Sequence, residues 1–114
     1  MEDFTVIQIK AIVEEAKKAA YEAASTYYKD VLGGEDRYSC GFAWVNIYKI
    51  KGNTKLGKKM KEAGLEKDYS GAYSIWNPSG LPIQNIDTKE VGARAAADVL
   101  KKYGFEASAG SRLD

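Results

Sequence analysis

Residues 51–55 (KGNTK) form a glycine-containing turn that leads into a predicted helix, the first of three stretches that suit binding chemistry. Exposed amides at a helix start attract anions, and flanking lysines add positive charge. The turn therefore predicts a phosphate contact through Lys51 and Asn53. It lacks the second glycine and the Gly-Lys-Ser/Thr ending of a P-loop. An ordinary capped helix with solvated lysines explains the same residues, because every helix start offers free amides.

The second stretch combines an aromatic ring with side-chain amides. Trp76 opens residues 76–80 (WNPSG), and Gln84 and Asn85 follow within residues 84–87 (QNID). An indole beside a rigid turn can stack on a base for about 1–3 kcal/mol, and amides can hydrogen-bond the edge of a base. These residues predict a contact with a planar, polar ring. The alternative assigns Trp76 to the core and the amides to turns.

Two arginines complete the candidate set. Arg112 lies among small and polar residues in the third stretch, 109–114 (AGSRLD), where a guanidinium suits bidentate capture of a phosphate or carboxylate. Arg94 lies on a predicted helix, four residues before Asp98, and an ion pair explains that spacing more simply. Both are candidate ligand contacts, and for Arg94 the structural role is the stronger alternative.

The composition excludes several classes of catalytic site. The chain has no histidine and therefore no Ser-His-Asp or Cys-His pair, no His metal ligand and not the commonest general base. Its single cysteine, Cys40, makes neither an internal disulfide nor a cysteine zinc site, and free cysteines are mostly buried. We therefore expect no catalytic residue, no metal and no cofactor. The sequence predicts a binding protein rather than an enzyme.

Length and charge indicate one globular domain over residues 1–114. The chain is 45% hydrophobic and 29% charged.

The sequence also predicts a cytoplasmic protein. It has no apolar run of the roughly 18 residues that a membrane span needs, and its start does not resemble a signal peptide. One cysteine fits a reducing compartment. A net charge of +1 argues against strong nucleic-acid binding. Lysines at 55, 58, 59, 61, 101 and 102 form a possible basic patch, or simply solvated helix faces.

A long amphipathic helix over residues 5–32 is the first element that must position these side chains. Residues 33–34 (GG) end it. Its apolar stripe recurs at steps of three and four through Ile9, Val13, Ala16, Ala20, Ala23, Tyr27 and Val31.

A strand over residues 41–50 follows, and its two faces differ. The compact apolar face suits packing under a helix and consists of Ala43, Val45 and Ile47. The other face is aromatic and partly polar and consists of Phe42, Trp44, Asn46 and Tyr48. This second face is either another core layer or a binding surface.

Shorter elements alternate in the rest of the chain. We expect a helix that follows the 52–54 turn and runs through residue 63, strands over 69–76, 81–86 and 105–109, and a polar tail over 110–114. Asp87 and Glu90 predict a capping box for a last helix that ends at Gly104. The expected inward face of that helix consists of Val91, Ala95, Val99 and Tyr103.

The last helix is rich in glycine and alanine, which allows close approach to the sheet or to a second subunit. The order of these elements predicts an α+β fold. The long N-terminal helix and a second helix pack on a mostly antiparallel sheet, within a body of mixed strands and helices over residues 38–114.

Five segments together resemble a small protein family of tailed phages and prophages: residues 40–45 (CGFAWV), 51–55, 76–80, 84–87 and 109–114. The size, long first helix and mixed sheet are similar to the Thoeris anti-defence sponge, which sequesters cyclic ADP-ribose signals. That resemblance implies a homo-oligomer in the cytoplasm of an infected bacterium, with ligand pockets between subunits. Some sponges also hold cyclic oligonucleotides.

Carried over residue by residue, the resemblance implies a stack on Trp76, an amide contact from Asn85, a phosphate contact from Lys51 and an arginine contact from Arg112 or Arg94. Lysine at position 51 replaces an arginine, which puts bidentate capture there in doubt. The implied function is sequestration of a cyclic nucleotide immune signal without cleavage. The alternative is a phage inhibitor that binds protein or nucleic acid; an enzyme is a third class.

Overall fold

The computed structural model describes residues 4–68 and 70–114, which form three helices and one four-stranded antiparallel sheet. The fold is therefore α+β, as the sequence predicts. In chain order the elements are α1 (Val6–Asp30), β1 (Gly41–Tyr48), α2 (Lys55–Glu62), β2 (Glu66–Lys67), β3 (Tyr73–Trp76), α3 (Ile86–Lys102) and β4 (Glu106–Leu113).

The strands lie in the order β2-β3-β1-β4, and every neighbouring pair is antiparallel. From β1 onward the chain runs β-α-β-β-α-β, the pattern of the split βαβ motif, and α1 precedes it. This order makes β1 and β3 the two central strands. Side chains on these two strands can therefore meet in the middle of a sheet face.

Helix α1 begins at a complete capping box, in which Thr5 and Gln8 satisfy each other's backbone N–H groups. The first part of the predicted stripe is confirmed, because Ile9, Val13, Ala16 and Ala20 are buried. The predicted end of this stripe is wrong, because Val31 is exposed and Leu32 is buried instead. Helix α1 ends at Asp30 with Val31 as its C-cap, and positive φ angles at both glycines of residues 33–34 then turn the chain away.

Helix α3 begins at Ile86 and its N-cap is Asn85, so the predicted capping box of Asp87 and Glu90 is wrong. Its buried face is also rotated from the predicted one and consists of Thr88, Lys89, Gly92, Ala93, Ala96, Ala97 and Leu100. A Cβ at Gly92 would lie 3.1 Å from the backbone oxygen of Ala20, so α1 and α3 pack very closely there. The glycine at position 92 therefore allows close approach of α1 and α3 within the chain.

The sheet has one covered and one open face. Helices α1 and α3 pack over the face that carries Ala43, Val45 and Ile47, all at most 1% exposed, as predicted. On the opposite face of β1, side chains are half-buried or exposed. Because these side chains are accessible and border a cleft, this face is a surface and not a second core layer.

Several predicted strand boundaries are wrong. The first strand ends at Tyr48, two residues early, and residues 81–86 form no strand, only an isolated bridge between Cys40 and Asn85. The strand predicted over 69–76 is confirmed over Tyr73–Trp76, and residue 69 lies outside the described residues. The expected polar tail is part of β4, which pairs along its whole length with β1.

Cys40 is exposed, so the expectation of a buried thiol is wrong. None of the helices in the described part of the chain is both long enough and apolar enough to cross a lipid bilayer.

Candidate functional site

Three aromatic side chains meet on the open face of the sheet. Trp44 on β1 lies directly opposite Trp76 on β3, and their rings are parallel within 3° with centroids 5.6 Å apart. Phe42 contributes a third ring, whose centroid is 5.6 Å from that of Trp76. Trp76 is 58% exposed, so the interpretation of Trp76 as a core residue is wrong.

The spacing of the two indoles decides where a ligand ring can stack. For a ligand ring to insert between the two indoles, their planes must lie about 7 Å apart, which is twice the carbon–carbon contact distance. Trp44 and Trp76 are only 5.6 Å apart, so no ring fits between them. A planar ligand must instead stack on an outer, exposed surface of this pair.

Local backbone geometry fixes both indoles. After Trp76 the chain reverses at Asn77, which has a φ of 43° and donates its backbone N–H to the oxygen of Ala43 at 2.9 Å. On the other side, Gly110 of β4 leaves room for the ring of Trp44. The backbone on both sides therefore fixes the positions of the two rings.

A cleft of about 380 Å³ lies against this surface. Its volume is within the range of small-molecule sites in proteins. We call it the aromatic cleft; its lining residues are Trp44, Asn46, Asp68, Ser70, Ser74, Trp76 and Arg112. Trp76 also borders a second cleft of about 260 Å³ at the edge of β3, which Lys17 and Glu66 help to line.

Arg112 supplies the positive charge of the aromatic cleft. It pairs with Phe42 across β1 and β4, and its guanidinium carbon lies 5.4 Å from the Phe42 ring centroid, within cation–π distance. Among residues 4–68 and 70–114 its guanidinium has no hydrogen-bond or ion-pair partner. The structure therefore holds an arginine in place with its donors free for an anion.

Asp68 supplies the negative charge. Its Oδ1 accepts hydrogen bonds from the backbone N–H and hydroxyl of Ser70 and from the N–H of Ala72. The Ser70 hydroxyl, the largest influence, and these backbone bonds hold the pKa of Asp68 below its ordinary value of 3.8. The carboxylate is therefore ionised at neutral pH and makes a poor general base.

Asn46 lies between these two charges. Its Nδ2 donates to the hydroxyl of Tyr48 at 3.1 Å, whereas its Oδ1 is buried with no hydrogen-bond partner in the described residues. An unpaired buried polar atom costs about 1–3 kcal/mol, so such atoms are uncommon in folded proteins. Asn46 therefore lines the cleft with an amide whose oxygen is buried and unpaired.

Asn85 does not belong to this site, contrary to prediction. It is fully buried, and its Oδ1 accepts from both the N–H and the hydroxyl of Thr88 at 2.8 Å. Its Nδ2 donates to the backbone oxygen of Arg37 at 2.8 Å. Every polar atom of the amide is used to start α3 and to anchor the loop before β1.

Lys51 and Asn53 lie in the exposed turn before α2, and neither lines the aromatic cleft. The turn is held by Thr54, whose hydroxyl donates to the backbone oxygen of Lys51 at 2.6 Å and accepts from the N–H of Gly57. The predicted phosphate contact needs free backbone N–H groups at the start of α2, but the Thr54 hydroxyl already accepts from one of them, that of Gly57. The structure supports the alternative of an ordinary capped helix.

Arg94 is also separate from the cleft. It forms an ion pair with Glu90, four residues earlier, whereas Asp98, the predicted partner, lies 4.0 Å from Lys101. Glu90 additionally accepts from the hydroxyl of Ser111 at 2.8 Å. Of the six predicted contacts, the structure brings together only Trp76 and Arg112.

Sequence reasoning missed Trp44, Asn46 and Asp68 as members of the site. The alternation of the first strand does place Trp44 and Asn46 on its aromatic face, which was a detectable signal. Asp68 could not be assigned to the site from the sequence, because its position depends on β2, a strand of two residues that no periodicity indicates.

Among the described residues, no group of three His, Cys, Asp or Glu side chains is arranged to hold a metal ion. Comparisons with protein-family models, with curated proteins and with solved structures found no match to this chain. Function must therefore be inferred from the geometry of the cleft.

Proposed function

We propose that this protein binds a small ligand that carries a planar heterocycle and an anionic group, and holds it without cleaving it. The observation that supports this proposal is the stacked pair of half-buried Trp44 and exposed Trp76 beside the unpaired guanidinium of Arg112. Stacking supplies affinity for the ring, and the guanidinium supplies bidentate hydrogen bonds to a phosphate.

The chemistry of the cleft favours binding over catalysis. Its one carboxylate, Asp68, is committed to a turn and has a lowered pKa, and no second carboxylate lines the same cleft. General acid–base catalysis needs a group that titrates near the working pH. Sequestration needs neither an acid–base pair nor a nucleophile.

The finer proposal concerns the ligand. Resemblance to a phage family and to the Thoeris anti-defence sponge favours a cyclic nucleotide immune signal, either of the cyclic ADP-ribose type or a cyclic oligonucleotide. Such signals contain both a base and phosphate. In a homo-oligomer, the open cleft would be closed by a second copy, which would bury more of the ligand.

Tryptophan fluorescence tests binding directly, because Trp44 and Trp76 are the two tryptophans of the chain. Cyclic ADP-ribose and, separately, a cyclic dinucleotide are titrated into the protein. Bound samples are then freed of excess ligand, heated and analysed by mass spectrometry. We expect quenching that saturates, and recovery of the intact ligand.

Trp76→Ala is expected to lower affinity about 5- to 150-fold, the equivalent of one lost stack. Tyr21→Ala is the matched control, since it removes an exposed ring of α1 that borders neither cleft. Absence of quenching with both ligands, or equal affinity of the two variants, would contradict the binding proposal. Recovery of a hydrolysed product would contradict sequestration.

A second candidate is a single-stranded nucleic acid. It is favoured by one observation: the central strands β1 and β3 present Phe42, Trp44 and Trp76 on an open sheet face, an arrangement that stacks successive bases in RNA-binding sheets. The charge of that face disfavours it, because Arg112 is the one cation among the described residues that line the aromatic cleft, Asp68 lines the same cleft, and Glu66 lines the neighbouring one. Affinity that rises with oligonucleotide length and falls steeply with salt would support this candidate over a small ligand.

A further inference from the structure

The aromatic cleft has opposite charges at its two ends. Arg112 lies on the edge strand β4, whereas Asp68 follows β2 on the other side of the sheet, so both central strands separate them. They are also displaced along the strands: Arg112 pairs with Phe42 near the start of β1, and Asp68 bonds to Ala72 beyond the opposite end of the β1–β3 ladder. The cleft therefore runs diagonally from cation to carboxylate, with the indoles between them.

Asp68 has one carboxylate oxygen to spare. All three of its side-chain hydrogen bonds go to Oδ1, and Oδ2 has no partner among the described residues. An ionised carboxylate only accepts hydrogen bonds. The free oxygen is therefore an acceptor in a fixed position, because the turn formed with Ser70 and Ala72 holds the carboxylate.

We infer that Asp68 is a specificity-determining residue, which accepts a hydrogen bond from an amino group on the ligand's heterocycle. In a nucleotide, the phosphate and the hydrogen-bonding edge of the base lie at opposite ends of the molecule. With the phosphate at Arg112 and the base on the indoles, that edge points toward Asp68. The inference rests on the proposed function and narrows the ligand to nucleotides with an amino-bearing base, such as adenine or cytosine.

Three probes separate the interactions: AMP, purine riboside 5′-monophosphate, which lacks the amino group, and adenosine, which lacks the phosphate. We expect wild-type protein to bind AMP about tenfold tighter than the amine-free analogue, within the range of a base-edge contact. Asp68→Asn should bind the two equally. The turn fixes Oδ1, so the asparagine places an N–H donor where Oδ2 was, opposite another donor.

Two control variants isolate this effect. Asp98→Asn removes an exposed carboxylate of α3 outside the cleft and should keep the preference for AMP. Arg112→Gln should lose the preference for AMP over adenosine but keep the preference for the amino group. Circular dichroism of Asp68→Asn checks that the turn and the sheet remain folded.

The outcomes distinguish the two proposals. If neither cyclic ADP-ribose, nor a cyclic dinucleotide, nor AMP binds, or if binding does not depend on Trp76, the proposed function fails and this inference fails with it. If one of the cyclic ligands binds through Trp76 but AMP does not bind, only this inference fails. If AMP binds through Trp76 and Arg112 but wild-type protein does not prefer it over the amine-free analogue, only the role of Asp68 is overturned. An unchanged preference in a folded Asp68→Asn variant overturns that role equally.

Discussion

The indole of Trp44 lies against Gly110 on the neighbouring strand, in the space that a side chain at position 110 would need. A Cβ at Gly110 would lie 2.6 Å from Nε1 and 2.7 Å from Cε2 of Trp44, closer than real Cβ contacts. The ring is rigid and is stacked on its other neighbour, Trp76. The orientation of the aromatic pair therefore depends on the absence of a side chain at position 110.

Gly110→Ala is expected to displace Trp44 and to lower the free energy of unfolding by about 1–3 kcal/mol, the usual cost of overpacking. The near-ultraviolet circular dichroism of the two indoles should change with it. Ser108→Ala, on the same face of β4, is the control and should leave that spectrum intact. An unchanged spectrum in Gly110→Ala would show that the two side chains do not interfere.

Asn85→Ala should lower the free energy of unfolding by about 2–4 kcal/mol, because α3 loses its cap and buried partners lose hydrogen bonds. Asn53→Ala removes an exposed amide before α2 and should change stability by less than about 0.5 kcal/mol. Urea unfolding of both variants measures the difference. Equal stability of the two would contradict the role of Asn85 as the cap.

Tyr73→Phe should cost about 1–2 kcal/mol of stability. The side chain is fully buried, and its hydroxyl donates to the backbone oxygen of Gly57 at 3.0 Å, which ties the sheet to α2. Without that hydroxyl the buried hydrogen bond between β3 and α2 is lost. Tyr21→Phe, on the exposed face of α1, should be neutral in the same urea titration.

Acid should weaken the contact between α1 and the end of α3. Hydrogen bonds from Lys102, the larger influence, and from Tyr103 lower the pKa of Glu15 below its ordinary value of 4.5. A depressed carboxyl pKa stabilises the folded state above the unfolded pKa, and this contribution is lost as pH falls through the folded one. Stability should therefore decline below about pH 4.5.

Glu15→Gln should flatten that part of the pH profile, measured as unfolding free energy against pH. Glu14→Gln is the matched control, since Glu14 is the exposed neighbour on the same helix and lies 4.0 Å from Lys17. An identical acid profile in Glu15→Gln and wild-type protein would contradict the assigned role of Glu15.

The sequence predicted those parts of the fold that follow from periodicity and strong local signals. The stripe of α1 and the alternation of β1 each specify a buried face, so both were recovered. The boundaries of β2 and β4 depend on pairing with strands distant in sequence: β4 continues through Arg112 because β1 supplies hydrogen-bond partners as far as Gly41. No local pattern in residues 110–114 indicates this.

Side-chain chemistry can be read from the sequence, whereas the register of the sheet and the partners of a helix cap cannot. Trp76 and Arg112 were identified by side-chain chemistry, and the register of the sheet then brought them together. Asn85 was misassigned because an amide before a helix is equally suited to a ligand and to a cap. Only the position of Thr88 distinguishes the two.

The exposed thiol of Cys40 has a practical consequence. It is the chain's one cysteine, and it directly precedes the strand that carries Trp44, four residues or about 14 Å of extended chain away. A thiol-reactive dye attached there can accept resonance energy from the indoles. Occupancy of the cleft can thus be followed in unmutated protein with a single label.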